Sequence, residues 1–95
     1  MSDVITKAVE RLSAGPGRFD GGIAKFVITG EGSIMMDATG VREGDEEADV
    51  SLIATAEVFE AILEGTMNPT TAFMTGKLKI DGSMGKAMQL ASVLS

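Results

Sequence analysis

Residues 67–90 read MNPTTAFMTGKLKIDGSMGKAMQL, and the organisation of the C-terminal half follows from them. Asn68 before Pro69 marks a helix start, since Asn accepts from the free amides of a first turn and Pro suits the first helical position. Ala72, Phe73 and Met74 supply its apolar residues, and Gly76 ends it after two turns. Over 77–81 the pattern switches to alternation. Leu78 and Ile80 point to one face and Lys77 and Lys79 to the other, as in a strand covered on one side. Gly82 turns the chain, Ser83 caps, and 84–94 form a last helix predicted to bury Met84, Ala87, Met88 and Ala91.

Working outward, 48–54 form a strand with Val50, Leu52 and Ala54 aligned, followed by a helix that Thr55 caps and Gly65 ends. Val58, Phe59, Ile62 and Leu63 make its apolar stripe. Earlier, 22–29 and 33–38 alternate as strands around the turn Gly30-Glu31-Gly32, with Ala24, Phe26 and Ile28 on one face and Ile34, Met36 and Ala38 on the other strand's matching face. A short third strand is expected at 41–43 and an acidic loop at 44–47. Residues 3–12 form an amphipathic helix through Ile5, Ala8, Val9 and Leu12, with Asp3 able to cap it. Grouped strands followed by helices, with one strand inserted between two helices, predict an α+β domain over 1–95 with a mainly antiparallel sheet covered by helices.

Composition narrows the chemistry. The 95 residues contain no Cys and no His, so thiolate metal sites, Cys nucleophiles and Ser-His-Asp or Cys-His mechanisms are excluded. No metal or other cofactor is expected. Seven Met against four Phe, with no Trp or Tyr, describe either a plain core or a pliable binding cavity, because Met adapts to irregular space. The net charge of −6 disfavours nucleic acid. Residues 31–64 hold ten acids against Arg42, whereas 65–95 hold Lys77, Lys79 and Lys86 against Asp81. That asymmetry fits two solvated faces, or a basic rim for an anionic head group. Neither terminus reads as a targeting signal and no apolar run approaches ~18 residues, so a cytoplasmic protein is expected.

Three motifs dissolve on inspection. Gly30-Glu31-Gly32 lacks the third Gly of a dinucleotide turn and leads into a strand. Gly85-Lys86 lacks the earlier Gly and the following Ser or Thr of a phosphate loop. Asp45, Glu47 and Asp49 begin like a calcium loop, but Val50 and Ala56 stand where Gly and an acid are required.

The block 65–88 closely resembles the signature of the sterol carrier protein 2 family, G-x-M-N-P-x-x-A-F-x-x-G-K-L-K-I-x-G-x-M-G-x-A-M. It stands here as Gly65, Met67, Asn68, Pro69, Ala72, Phe73, Gly76, Lys77, Leu78, Lys79, Ile80, Gly82, Met84, Gly85, Ala87 and Met88, without a gap. The preceding ADVSLIATAEVFEAILEG, 48–65, is similar to the strand and helix that lead into it; the earlier strands agree in pattern only. The resemblance implies a five-stranded sheet and helices enclosing an apolar cavity for a fatty acid, acyl-CoA, sterol or prenyl lipid, bound without catalysis. The helix before the first strand is shorter than in longer members, which favours flexible acyl chains over a rigid sterol and a compact bacterial-type member. The implied cavity lining is Phe73, Met74, Met84 and Met88 from helices, Phe26, Ile34, Met36 and Ile80 from the sheet, and Ile62 from the intervening helix. Lys77, Lys79 and Lys86 are candidates for head-group contact, or ordinary solvated charges. The partners so implied are a lipid ligand, a transient membrane contact and partner enzymes. The alternative role is an accessory domain presenting a lipid or isoprenoid-quinone intermediate to those enzymes; a cavity filled by the chain's own side chains would make it a structural domain instead.

Overall fold

The computed structural model describes residues 3–94; Met1, Ser2 and Ser95, used in reading the termini, lie outside the described residues. The elements are α1 (Asp3–Ala14), β1 (Ala24–Ile28), β2 (Gly32–Asp37), β3 (Gly40–Glu43), β4 (Val50–Ala54), α2 (Ala56–Glu64), α3 (Pro69–Met74), β5 (Lys79–Gly82) and α4 (Met84–Leu94). The caps are those read from sequence. Thr55 accepts from the Val58 amide at 3.4 Å, and Asn68 Oδ1 accepts from Thr70 and Thr71 at 2.8 and 3.3 Å. Ser83 Oγ accepts from the Lys86 amide at 3.2 Å. Gly65 closes α2 at φ 83°, a conformation that costs a side-chain-bearing residue more than Gly. Asp3 lies in the first described turn of α1.

The five strands lie in the order β3-β2-β1-β4-β5. The sheet is mixed. β1–β2, β2–β3 and β4–β5 are antiparallel, but β1 and β4 run parallel, with Phe26 beside Leu52. After the β1-β2-β3 meander the chain crosses back to the far side of β1, and a strand arriving by such a crossover runs parallel to its neighbour.

That crossing explains a burial the alternation did not predict. Met35 points to the face away from the helices, with Lys25 and Arg42 opposite it in register, yet it is fully buried. The acidic loop after β3 lies across it. Gly44 donates to the Ser33 carbonyl at 3.1 Å, a Cβ at Gly44 would sit 3.2 Å from Met35, and Lys25 Nζ meets Asp45 at 2.9 Å. Ala38, expected to face inward, is exposed in the turn between β2 and β3.

The opposite face carries Ala24, Phe26, Ile28, Ile34, Met36, Val50, Leu52 and Ala54, all buried in one cluster with residues of all four helices. In α4 the buried residues are Ala87 and Leu90, not the expected Met84 and Met88, which remain exposed. Small Ala87 lets that side of the helix approach the sheet, so the Met pair is rotated outward.

Two local devices hold the ends of this sheet. Asp37 accepts from the Thr39 hydroxyl and amide and from Arg42 Nη1 at 3.0 Å, locking the β2–β3 turn. The Thr39 hydroxyl first, then Arg42 and the Thr39 amide, lower its pKa from 3.8 to about 2. A depressed carboxylate stabilises the fold above its unfolded pKa and ceases to do so as pH falls through its folded one. Asp37→Asn should therefore lower Tm relative to the parent above about pH 4, with the gap closing as pH approaches 2; a gap constant across that range would contradict the lock. At the other edge Gly82 has φ 99°, and a Cβ there would run into the Asp49 carbonyl oxygen. Gly82→Ala should lower the urea midpoint, by roughly 1–3 kcal/mol of stability, without changing the slope.

Candidate functional site

Among the described residues, two openings in the helical layer concern the predicted cavity. The larger is a groove of ≈ 360 Å³ between α1 and α2. Val4 and Ala8 line it from α1, Ala56, Phe59 and Leu63 from α2, and Ile28 at the end of β1 forms its floor. The local reason is volume. The facing stripes of the two helices carry Ala8 and Ala56, which are too small to fill the gap that their larger neighbours hold open. The rim is charged, with Lys7 and Arg11 one turn apart on α1 among Asp3, Glu10 and Glu60. Arg11 Nη2 stands 3.8 Å from Glu64, a loose exposed contact that ties α1 to the end of α2.

The smaller opening is a slot of ≈ 20 Å³ between α3, α4 and the sheet. That is space for about one water molecule. Leu52, Pro69, Leu78 and Ala87 are its buried lining and Thr70, Phe73 and Met88 its exposed lining, with Ile80 and Ala91 half-buried between them. The groove and the slot are linked through one buried residue, Phe26, which borders neither. Phe59, in the groove, meets the Phe26 ring edge-to-face at 5.9 Å and 81°. Phe26 in turn lies beside slot-lining Leu52 across the parallel ladder.

The apolar residues predicted from sequence fall into three groups. Phe26, Ile34, Met36 and Ile62 are buried in the core and border neither opening. Phe73, Ile80 and Met88 come together around the slot. Met74 and Met84 are on the surface and border neither. The lysines do not converge on either opening: Lys77 and Lys79 are exposed, and Lys86 Nζ donates to the Gly21 carbonyl at 2.6 Å, fastening α4 to the segment before β1. The groove residues were missed altogether. Phe59 and Leu63 read only as part of the apolar stripe of their helix, and the one signal of a gap in the sequence is the pairing of two alanine-bearing helix faces. Among the described residues no buried side-chain nitrogen or oxygen lacks a hydrogen-bond partner, and no three His, Cys, Asp or Glu side chains are placed to hold a metal ion. What the arrangement offers is apolar surface, with charge only at its rim.

Comparison with known proteins agrees. The profile of the SCP-2 sterol transfer family matches residues 10–95. Hydroxysteroid dehydrogenase-like protein 2 of Xenopus laevis is 41% identical over 81 residues, which is 77% of this chain and 19% of that protein. Sterol carrier protein 2 of Rattus norvegicus is 36% identical over 83 residues, 87% of this chain and 14% of that protein. The chain thus spans under one-fifth of the length of these curated relatives. Among solved structures, palmitated SCP2L2 of Aedes aegypti superposes with a TM-score of 0.68 at 25% identity, covering 99% of this chain and 95% of that one. A profile match across nearly the whole chain, on a five-stranded sheet with one apolar face under four helices, has one reading: the chain belongs to the SCP-2 sterol transfer family.

Proposed function

We propose that this chain holds the hydrocarbon tail of a lipid, without chemistry on it, in the groove between α1 and α2, and so carries or stores that lipid. The observation that supports this most directly is the groove itself, ≈ 360 Å³ of space over Ile28 and Phe59. Its volume lies at the lower end of the ~300–1,000 Å³ common for small-molecule sites, which suits a flexible chain better than a rigid ring system. The palmitated relative of the same fold supports an acyl ligand. Lys7 and Arg11 are the cations at the rim and would face a carboxylate or phosphate head group. Lys77, Lys79 and Lys86 border neither opening. Phe26, Ile34, Met36 and Ile62 are the apolar layer into which a longer tail would press, past Phe59.

The energetics are adequate. A chain of about fourteen methylenes gains roughly 11 kcal/mol on burial. Association costs of about 4 kcal/mol leave roughly 7 kcal/mol, an affinity on the order of 10 µM. No polar catalytic group contributes. The same groove would serve a domain that presents its lipid to partner enzymes.

Displacement of a fluorescent fatty acid from two filling variants tests both the function and the place. Ala56→Trp should weaken binding by at least about tenfold while Ala91→Trp, in the slot, leaves it within about twofold, both variants remaining folded by circular dichroism. Loss of binding in Ala91→Trp alone would move the tail to the slot. No binding of acyl, sterol or prenyl probes by the parent at tens of micromolar would end the carrier reading.

A further inference from the structure

β5 lies at the edge of the sheet, paired with β4 on one side and with no strand on the other. Ser83, just past it, donates to the Asp49 carbonyl at 3.0 Å. Bonding direction alternates along an antiparallel ladder, so Lys79 and Asp81 direct their backbone groups to β4, and those of Ile80 and Gly82 point outward. The side chains alternate as well. Lys79 and Asp81 stand in register with Ile53 and Ser51, on the face away from the helices, while Ile80 lines the slot on the helical face. Lys79 and Asp81 are exposed, and among the described residues neither is in an ion pair.

The order Lys-Ile-Asp is complementary to itself when a second copy runs the other way. With Ile80 opposite Ile80 of the second copy, Lys79 of each faces Asp81 of the other. These flanking positions share no backbone hydrogen bonds, and such pairs bring side chains closest together. Sliding by two residues sets Lys79 opposite Lys79 or Asp81 opposite Asp81. Sliding by one sets outward backbone groups against inward ones. One register is left. A lysine on an edge strand ordinarily wards off pairing; here the carboxylate that neutralises it arrives with the partner.

We propose that two copies of the chain pair antiparallel through β5, centred on Ile80, into one continuous sheet with five strands from each. The helical layer supports the same occupant. The two-fold axis stands perpendicular to the sheet, so both copies keep their helices on one side. Leu78 donates to the Ala72 carbonyl at 3.1 Å, which sets the end of α3 beside the outer edge of the sheet, at the start of β5. α4 begins at Met84, just past the other end of β5. Leu78 of one copy lies opposite Gly82 of the other in the Ile80 register, so the end of each α3 comes beside the start of the other α4. Met74, 79% exposed, and Met84, 47% exposed, are the large apolar side chains at those two places, and pairing would take both from water. α1 packs over β2 and β3, on the side of the sheet away from β5. The α1–α2 groove is therefore left open in each copy, and the proposal does not depend on what the groove holds.

Sedimentation velocity of the purified chain, from about 10 µM to about 1 mM, should show a monomer–dimer equilibrium in the weak range expected of a small interface. Salt near 0.15 M screens the long-range repulsion between two acidic copies and leaves contacting pairs in place. Lys79→Asp alone and Asp81→Lys alone each set like charges opposite one another twice, and each should raise the dimer Kd at least about tenfold. Mixed in equal amounts, the two variants bring opposite charges together at both places, and a heterodimer about as tight as the parent dimer is expected. Both positions are exposed, so each variant should keep the parent's Tm and fatty-acid affinity. A parent that stays monomeric throughout, single variants that dimerise as well as the parent, or a mixture that stays monomeric overturns the proposal.

Discussion

The parallel pairing of β1 with β4 is the constraint on which the rest of the structure depends. It places Phe26 beside Leu52 in the middle of the sheet and starts α2 directly from the end of the strand next to β1. Phe59 can then reach the Phe26 ring, and Ile28 at the end of β1 becomes the floor of the α1–α2 groove. Were β4 instead to extend the meander beyond β3, α2 would begin at the sheet edge, away from β1. The crossing that makes the pairing parallel also lays the acidic loop over Met35, so one segment joins the two halves of the sheet and covers part of its second face.

Much of this was legible in the chain. Asn68, Pro69, Gly65, Gly82 and Ser83 act where their backbone chemistry says they should, because caps and turns are local. Every element was foreseen, several with shifted ends. What lay beyond reach was long-range. Alternation identifies a strand but not its neighbour, so it could not place β4 against β1. Met35 lies on what period two marks as the outer face, and only the later return of the loop buries it. Met84 and Met88 fit an apolar stripe on α4, yet Ala87 and Leu90 fit one too; which side meets the sheet depends on how closely the helix packs. The groove is a property of two helices facing each other, and neither sequence alone contains it.

The predicted cavity residues separate along the same line. Phe26, Ile34 and Met36 of the sheet and Ile62 of α2 are interior, Phe73, Ile80 and Met88 are at the slot, and Met74 and Met84 are on the surface. A domain of this size buries a limited fraction of its surface, so space left open for a ligand lowers an already small stability margin. A shallow groove between two helices costs less than a closed void, since its lining keeps most of its contacts and only the gap is unfilled. Binding a lipid tail would restore those contacts, coupling the ligand to stability.

The claim that the tail occupies the α1–α2 groove is tested most directly by intermolecular nuclear Overhauser effects from a carbon-13-labelled fatty acid to the methyl groups of the protein. Contacts to Ala8, Ile28, Ala56 and Leu63 are the predicted result, together with the Phe59 ring. Contacts confined to Met88, Ala91 and Ile80, or none at stoichiometric occupancy, would contradict it.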